Sequence, residues 1–516
     1  MVVTQRNGAA LTRRRFLTAV SSAAITAVGG IARPSLSRAA DRPVITHGVQ
    51  SGDVSLESGI VWTRTDRPAR MLAEIATSDS FKTIHGAVSV DALPDTDFTA
   101  KALLQGLPAG QDVFYRVRFQ DHSFSGALSE PQVGRFRTAP RDRRSISFVW
   151  SGDTGAWGID EARGGMRTYA TMAKCRPDFF IHSGDHIYAD SPIPAESTLP
   201  NGEIWRNLVT EEKSKVAETL AEFRGNYKYN LLDRNLRAFN AEVPMLAQWD
   251  DHEVTNDWCP DGDPRMVQLA ARGGRAFHEF MPIRRIGAEA SRVYRKVAYG
   301  PLLDVFLLDM RSYRTALDEQ GAAAAILGPA QMAWLKHELM NSHATWKIIA
   351  ADLPIGVVSG DAVAQGDGPA RGREIEIADL LTFIKRAGIR NTVWLTADMH
   401  YTAAHYYDPN AAVFQDFEPF WEFISGPLHA GTWPPQRLDN TFGPRAVFQK
   451  GCSGDQPDDL APCFGLQFFG HVAIDGATEV MTVTLKDVDD RDLWATRIEP
   501  QTEKRSRESR LVRGGI

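Results

Sequence analysis

Four short segments of this chain each place acidic or imidazole side chains directly after an apolar run. This series constrains the fold more than any other feature of the sequence. The segments are residues 148–155, 179–190, 245–257 and 393–402. A strand that ends in Asp or His presents a hard metal ligand at the edge of a sheet. Four such strands in one domain can surround two metal ions, so the series predicts an enzyme with a metal centre.

Residues 1–39 are predicted to be a twin-arginine export signal. Arg13 and Arg14 precede an uncharged stretch of small residues, and Ser37 and Ala39 suit cleavage by a signal peptidase. The alternative is an amino-terminal membrane anchor, but the stretch is short and rich in Gly and Ser for a bilayer span. We therefore expect the twin-arginine (Tat) export machinery as a partner, a periplasmic or extracellular location, and no stable membrane insertion.

The mature chain is expected to be acidic. Six arginines leave with the export signal, which changes the formal net charge from −6 to −12. Nucleic-acid binding usually requires a basic face, so no nucleic-acid partner is expected beyond a possible substrate. The basic segment 501–516 is predicted to be a solvated tail. The sequence does not indicate an oligomeric state.

The four cysteines give one candidate disulfide. In an exported protein, Cys452 and Cys463 are close enough in sequence to pair within a loop rich in Gly, Pro and Asp. Cys175 and Cys259 lack the spacing of a zinc site and are expected to be buried thiols.

The pattern of apolar and polar residues changes near residue 140. Residues 40–140 read as short strands divided by Gly, Pro and Asp, which predicts a small fibronectin- or immunoglobulin-like β-sandwich domain. In residues 141–500, continuous apolar runs alternate with helical patterns, which predicts an α/β domain with one sheet or two packed sheets covered by helices. The predicted strands are 59–64, 71–76, 99–105, 113–119, 146–150, 179–182, 305–308, 348–351, 393–395 and 480–485. The predicted helices are 210–239, 329–341 and 374–387.

The second segment carries a possible phenolate ligand. A Gly-Asp pair after a buried strand lets the backbone turn and leaves the Asp185 carboxylate at the sheet edge. The side chain of Tyr188, three residues later, can reach the same place at the sheet edge. A phenolate needs a strongly polarising cation at neutral pH, which favours ferric iron. The structural alternative is a turn Asp beside a packed Tyr.

The other three segments supply carboxylates and imidazoles. Asp251 can bind a metal while His252 faces the substrate as a proton donor, although a helix N-cap is the alternative. Asp398 and His400 are two residues apart, so on an extended segment both side chains would face one way. Asp153 is the carboxylate of the first segment.

As a set, these motifs resemble the binuclear metallophosphoesterases, which include calcineurin and the purple acid phosphatases. The pattern of that superfamily runs Asp, Gly-Asp-x-x-Tyr, Gly-Asn-His-Glu and Gly-His-x-His. Its counterparts here are Asp153 and residues 184–188, 250–253 and 397–400. The resemblance is closer to the PhoD-type alkaline phosphatase and phosphodiesterase family. This family also shares the twin-arginine signal and the segments 47–53, 61–64 and 308–311.

The resemblance implies a fold and two metal sites. The implied fold is a four-layer metallophosphoesterase β-sandwich flanked by helices, after a small fibronectin-like all-β domain. The first implied site would hold iron, and the second would use oxygen ligands alone, which favours calcium, magnesium or manganese over zinc. The implied ligands are Asp153, Asp185, Tyr188 and His400 in the first site, and the bridging Asp185 with Asp251 and Asp398 in the second. A further imidazole ligand of the purple acid phosphatases has no match in this sequence, and Asp352 is the nearest residue to its position.

One departure from the family concerns the first motif. Many PhoD-type enzymes have a Cys there, whereas this chain has Ser151, so a thiolate ligand to iron is not expected. Relatives with two calcium ions beside the iron leave the number of metals open.

The implied mechanism is attack by a metal-bound hydroxide on phosphorus. His252, held by Asp250 or Glu253, would protonate the leaving alkoxide as general acid. Asn256 could contact a phosphate oxygen, or cap a turn, and Gly152 and Gly155 would allow a phosphate to approach closely.

Phosphate monoesters and diesters both remain possible substrates, and phospholipid headgroups are the alternative for a phospholipase-D-like enzyme. A glycosidase with paired carboxylates is disfavoured, because neighbouring residues rarely lie about 5 Å or more apart across a sugar. A non-enzymatic, exported calcium-binding sandwich protein is the other class considered, but it would not explain why Tyr188, His252 and His400 accompany the acidic residues.

Overall fold

A computed structural model describes residues 42–123, 126–260, 262–285, 289, 291–316 and 324–501. These residues belong to one unit. The predicted export signal, residues 1–39, lies outside the described residues, and so does the predicted basic tail apart from Gln501. Within the described ranges, no helix combines the length and apolarity that a membrane span requires.

The strands are numbered in chain order and form two large and two small sheets. The nine-stranded sheet has the spatial order β22 (Asp492–Ile498), β21 (Met481–Asp487), β20 (Phe468–Ile474), β8 (Ile146–Ser151), β9 (Phe179–Ser183), β12 (Met245–Gln248), β1 (Ile45–Gly52), β2 (Ser58–Thr65) and β5 (Thr99–Gln105). The seven-stranded sheet has the order β13 (Arg295–Ala298), β14 (Leu303–Leu307), β15 (Trp346–Ala350), β16 (Thr392–Thr396), β18 (Phe420–Ile424), β17 (Thr402–Tyr407) and β19 (Pro444–Lys450). The small sheets are β4 (Gly86–Ala92), β3 (Ala69–Ala76), β6 (Asp112–Asp121) and β7 (Gln132–Arg137), and the pair β10 (Glu196–Thr198) and β11 (Ile204–Arg206).

Side chains that alternate along the central strands build four layers. On β8, Phe148 and Trp150 enter a core shared with the seven-stranded sheet, whereas Val149 faces the helices on the outer side. On β14, Val305 enters the shared core and Phe306 faces the opposite helical layer. Strands buried on both faces require apolar residues at successive positions, which explains the continuous apolar runs in the sequence.

Helices cover the outer face of each large sheet. Helices α1, α2, α3 and α4 pack on the nine-stranded sheet, and α5 and α6 pack on the seven-stranded sheet. The described helices are α1 (Arg167–Lys174), α2 (Leu220–Asn230), α3 (Arg234–Glu242), α4 (Pro264–Phe280), α5 (Gly328–Met340) and α6 (Glu374–Arg386). The single helix predicted for 210–239 is wrong, because the chain forms α2 and α3 separated by a turn in which Asp233 caps the second helix.

The amino-terminal strands form a two-sheet sandwich. Strands β1, β2 and β5 face the sheet β4-β3-β6-β7, and apolar residues of both sheets share one core. However, β1 also pairs in parallel with β12, so hydrogen bonding continues from this sandwich into the nine-stranded sheet. The domain boundary at residue 140 therefore stays a prediction.

The suggested disulfide is not formed. All four cysteines are free thiols. The Cys452 thiol lies 3.5 Å from the carbonyl oxygen of Thr432, whereas Cys463 packs beside Leu199 and Trp205. Each sulfur thus has its own surroundings.

Candidate metal centre

The strands that precede the four motifs end close together. Strands β8, β9 and β12 are parallel neighbours, so their carboxyl ends lie at one edge of the nine-stranded sheet. The indole of Trp150, near the end of β8, donates to the carbonyl oxygen of Thr396 at the end of β16, 3.2 Å away. The amide of Gln248, at the end of β12, donates to Leu308 and Ala350 of the second sheet at 2.9 Å each. These buried cross-sheet bonds bring the motifs of both sheets to one place.

Four of the predicted ligands have left-handed backbone conformations. The φ angles are 67° at Asp153, 54° at Asp185, 61° at Asp398 and 55° at His400. Such conformations are uncommon for residues other than Gly, and they cluster at functional sites. The expectation that Asp398 and His400 share a face of an extended segment is therefore wrong. A tight turn after β16 directs both side chains to the site.

The glycines of the first two motifs serve packing between loops. A Cβ atom on Gly152 would lie 2.9 Å from the Cβ of Ala397, and one on Gly155 would meet the side chain of Asn230. At Gly184 a Cβ would meet Asp250. Gly152 and Gly155 therefore have a role in loop packing, and their expected role in phosphate approach stays a prediction.

The four residues of the first predicted site come together. Ligand atoms of Asp153, Asp185 and His400 all lie within 4.8 Å of one another. The Tyr188 hydroxyl donates to Nε2 of His400 at 2.9 Å, and Nδ1 of His400 donates to the carbonyl oxygen of Gly431 at 2.6 Å. Burial lowers the pKa of His400 to about 4, so the ring is neutral. A neutral imidazole whose second nitrogen is held by a backbone carbonyl is the usual arrangement of a metal-binding His.

Asp153 fits a bound cation because its carboxylate is otherwise uncompensated. Both carboxylate oxygens are buried, and neither has a hydrogen-bond partner among the described residues. Burial, and next the nearby Asp250 carboxylate, raise the pKa of Asp153 well above its usual range. A buried acid without a partner is costly unless a cation pairs with it.

The second predicted site contains an arginine that the sequence analysis did not anticipate. Ligand atoms of Asp250, Asp251 and Asp398 lie within 4.8 Å of one another, and so do those of Asp185, Asp251 and His252. The Arg311 guanidinium, which is fully buried, contacts several of these carboxylates. It pairs closely with Asp250, and its other acidic neighbours are Asp361 at 2.5 Å, Asp352 at 3.4 Å, Asp398 at 3.5 Å and Asp251 at 3.7 Å.

His252 lies beside the second site but is not held as predicted. Its Nδ1 lies 2.7 Å from a carboxylate oxygen of Asp190, so neither Asp250 nor Glu253 supports the ring. Asp250 instead pairs with Arg311, and Glu253 accepts from the backbone N–H groups of Asp250, His186 and Asp185. Burial lowers the pKa of His252, but the carboxylates of Asp251 and Asp190 outweigh burial and raise the pKa to about 9.

Ser151, Asn256 and Asp352 complete the predicted set. The Ser151 hydroxyl donates to backbone carbonyls of Ser425 and Phe468, so it faces away from the first site. The backbone N–H of Asn256 donates to Asp190 at 2.7 Å, while its side chain lines the cleft. Asp352 is fully buried beside Arg311 and does not belong to the described ligand clusters.

Three further residues were missed by the sequence analysis. Asp190 follows Tyr188 by two residues, and Arg311 lies in the segment 308–311 that carries the family resemblance, so both had a sequence signal. Asp361 had none, because it lies in a loop after β15. It belongs to a fourth cluster with Asp251 and Asp257, whose ligand atoms lie within 4.8 Å of one another.

The site opens into a cleft of about 660 Å³. Its floor is formed by Asp185, Asp251 and Asp398. Its wall includes Ile193 and Asn207, which belong to residues 191–242, an insertion between the second and the third motif. Trp157 and Trp433 also line the cleft. The cleft therefore combines a charged floor with partly apolar walls.

Comparisons with known proteins point to one family. A family model described as PhoD-like phosphatase matches residues 149–485, and one described as PhoD-like phosphatase, N-terminal domain, matches residues 30–140. Alkaline phosphatase D of Bacillus subtilis (strain 168) is 25% identical over 425 residues, which cover 75% of this chain and 68% of that protein.

Two solved structures have a similar fold. The structure described as "Structure of PhoD" has a TM-score of 0.67 and 20% sequence identity, and the match covers 89% of this chain and 92% of that chain. A purple acid phosphatase, PPD1 from yellow lupin (Lupinus luteus) seeds, has a TM-score of 0.56 and 12% identity, with coverage of 89% and 74%. The fold class predicted from the sequence is confirmed.

Proposed function

The chain belongs to the PhoD-like phosphatase family and is a phosphoric ester hydrolase, and we propose that it is an exported enzyme that cleaves phosphate mono- and diesters with His252 as general acid. The observation that carries this proposal is the convergence of the four strand-end motifs on one cleft, with the uncompensated Asp153 carboxylate on one side and His252 on the other. The non-enzymatic calcium-binding alternative does not agree with membership of a phosphatase family.

The proposed centre has two parts. Asp153, Asp185, Tyr188 and His400 would hold one cation. Asp251 would hold another together with Asp185 and Asp398, each of which shares a cluster with Asp251. Cations bound there would polarise the phosphoryl group and lower the pKa of a water molecule. The carboxylates fix where these charges lie, and the left-handed turns at Asp153, Asp185 and Asp398 fix the carboxylates.

We propose ferric iron for the first part and calcium for the second, with magnesium, manganese or zinc as alternatives. The support is the donor set, because a phenol and an imidazole favour iron, whereas an all-carboxylate set favours a hard cation. Burial raises the pKa of Tyr188 well above its usual range, so only a strongly polarising cation would deprotonate it. We expect a visible charge-transfer band in the purified protein and no such band in Tyr188→Phe. Full activity in calcium alone, without a band, would contradict iron.

The role of His252 follows from its place in the cleft. The side chain is 16% exposed, and Nδ1 is engaged by Asp190, which leaves Nε2 to face the cleft. Because its pKa is raised to about 9, the imidazole carries a proton at neutral pH and can donate it to a leaving alkoxide.

The volume of the cleft supports diesters as well as monoesters as substrates. A volume of about 660 Å³ leaves room for a second ester group beside the phosphoryl group, and Trp157 and Trp433 offer apolar contact to it. Phospholipid headgroups would fit the same description. The deciding experiment compares hydrolysis of p-nitrophenyl phosphate with that of bis(p-nitrophenyl) phosphate, before and after chelation. If neither ester shows chelator-sensitive turnover, the proposal fails.

Export rests on the sequence alone. The Arg13-Arg14 pair and the following uncharged stretch support transport of the folded, metal-loaded enzyme to the periplasm or the medium. Replacement of both arginines by lysine should retain the enzyme inside the cell, as measured by activity in cell fractions. Unchanged export of that variant would contradict twin-arginine transport.

A further inference from the structure

We propose that Asp190 is a positioning residue that fixes the His252 ring with Nε2 toward the cleft, an inference that rests on the proposed function. Neither the four motifs nor the family resemblance assigns a role to Asp190. It acts through His252 and does not itself reach the substrate.

Both oxygens of the Asp190 carboxylate are used to hold the segment around His252. One accepts from Nδ1 of His252 at 2.7 Å, and the other accepts from the backbone N–H of Asn256 at 2.7 Å. The Tyr188 ring packs against the imidazole, with 4.2 Å between ring centroids. The ring is therefore restrained at one edge and on one face.

The backbone that carries Asp190 is itself anchored. The N–H of Ala189 donates to the carbonyl oxygen of His252 at 3.0 Å, so the two segments are bonded through main chain as well as side chain. The buried Lys213 ammonium donates to the carbonyl oxygens of Tyr188 at 2.6 Å and Ser191 at 3.0 Å. Lys213 belongs to the insertion 191–242, so this insertion holds the backbone near Asp190, the residue that contacts His252.

This arrangement selects one ring nitrogen for catalysis. The hydrogen bond made by one imidazole nitrogen determines the orientation and the proton of the other. With Nδ1 held by a carboxylate, Nε2 is directed to the cleft, as when a buried carboxylate orients a catalytic His. A ring held in advance does not lose rotational freedom when substrate binds.

Asp190 is not placed as a metal ligand. It does not belong to the clusters of acidic and imidazole side chains with ligand atoms within 4.8 Å of one another, as far as the described residues show. Its partners in hydrogen bonds are His252, Asn256 and Ser191. A substitution at Asp190 should therefore disturb the proton donor and leave the cations bound.

The test compares two monoesters that differ in how much they need a proton donor. For Asp190→Asn, hydrolysis of phenyl phosphate should fall about 10²-fold in kcat, whereas that of p-nitrophenyl phosphate, whose leaving group is stable without a proton, should change only a few-fold. KM and bound metal content should stay as in the wild type. Asp190→Glu should recover part of the loss on phenyl phosphate, and the exposed Asp379→Asn serves as control.

A double variant completes the test. His252→Asn and His252→Asn with Asp190→Asn should have the same activity on phenyl phosphate, because Asp190 acts only through His252. Equal losses on both esters, loss of bound metal in Asp190→Asn, or additive losses in the double variant would each overturn the inference. Wild-type enzyme without chelator-sensitive turnover would instead refute the proposed function, so the two failures are distinguishable.

Discussion

The two parts of the proposed metal centre differ in how the protein compensates their charge. In the first part, both oxygens of Asp153 are buried without a partner among the described residues. In the second part, the Arg311 guanidinium lies among Asp250, Asp251 and Asp398. The first part thus depends on an external cation, whereas the second carries a permanent cation of its own.

The buried arginine explains how a dense acidic site can stay assembled before a metal binds. Several carboxylates in a buried cluster repel one another, and isolated charges are costly there. Arg311 offsets that repulsion at the second part and holds the loops that end β12 and β16. Asp153 has no ion pair with Arg311, so a bound cation would compensate its charge.

The largest effect is expected for Asp153→Asn. Hydrolysis of p-nitrophenyl phosphate should fall 10³- to 10⁴-fold, because a bound cation stabilises the transition state by roughly several kcal/mol. The free energy of unfolding of the chelated protein should change by less than about 1 kcal/mol, since the neutral amide replaces a carboxyl whose oxygens have no hydrogen-bond partner among the described residues. Wild-type metal content in this variant would contradict the assignment.

Arg311→Gln should reduce the stability of the chelated protein, in contrast to Asp153→Asn. The chelated protein should lose about 3–5 kcal/mol of stability, because removal of one partner leaves buried carboxylates uncompensated. Chemical denaturation with urea measures this loss. The exposed Arg386→Gln, which removes a surface ion pair with Asp416, is the matched control and should cost less than about 1 kcal/mol. Similar losses in both variants would remove the contrast between the two parts.

Metal removal should show how much each part of the proposed centre contributes to stability when it binds a cation. With free cation at about a hundred times its dissociation constant, each occupied part of the wild type should add about 2.7 kcal/mol of stability over the chelated protein. In Asp153→Asn the gain should be smaller, because only the second part still binds. An equal gain in both proteins, measured by denaturation with and without chelator, would show that Asp153 does not bind the cation.

The smallest effect is expected for Asp352→Asn. Asp352 is buried beside Arg311, and burial raises the pKa of its carboxyl well above the usual range, so a neutral amide resembles the protonated group. Activity should stay within a few-fold and stability within about 1 kcal/mol of the wild type. Loss of bound metal in this variant would instead place Asp352 in the centre.

Ten of the twenty-two described strands were predicted, because each of the ten has a local cause in the sequence. The strand predicted at 99–105 coincides with β5, and those at 146–150 and 179–182 lie within one residue of β8 and β9. Helix α4 was missed, since Gly273 and Gly274 lie in its middle and argue against a helix. Gly273 is required there because a Cβ would meet the carbonyl oxygen of Glu253.

Apolar runs followed by Asp and His are local patterns, so the residue types at the strand ends could be predicted from the sequence, together with an α/β domain and a metal centre. The four-layer fold and the phosphoesterase activity followed from the family resemblance of the motifs. Which groups compensate one another became visible only in the tertiary structure. Arg311 reaches Asp250 across 61 residues, and Asp190 reaches His252 across 62. Such contacts depend on how two sheets and their loops pack, and no local pattern in the chain encodes that geometry.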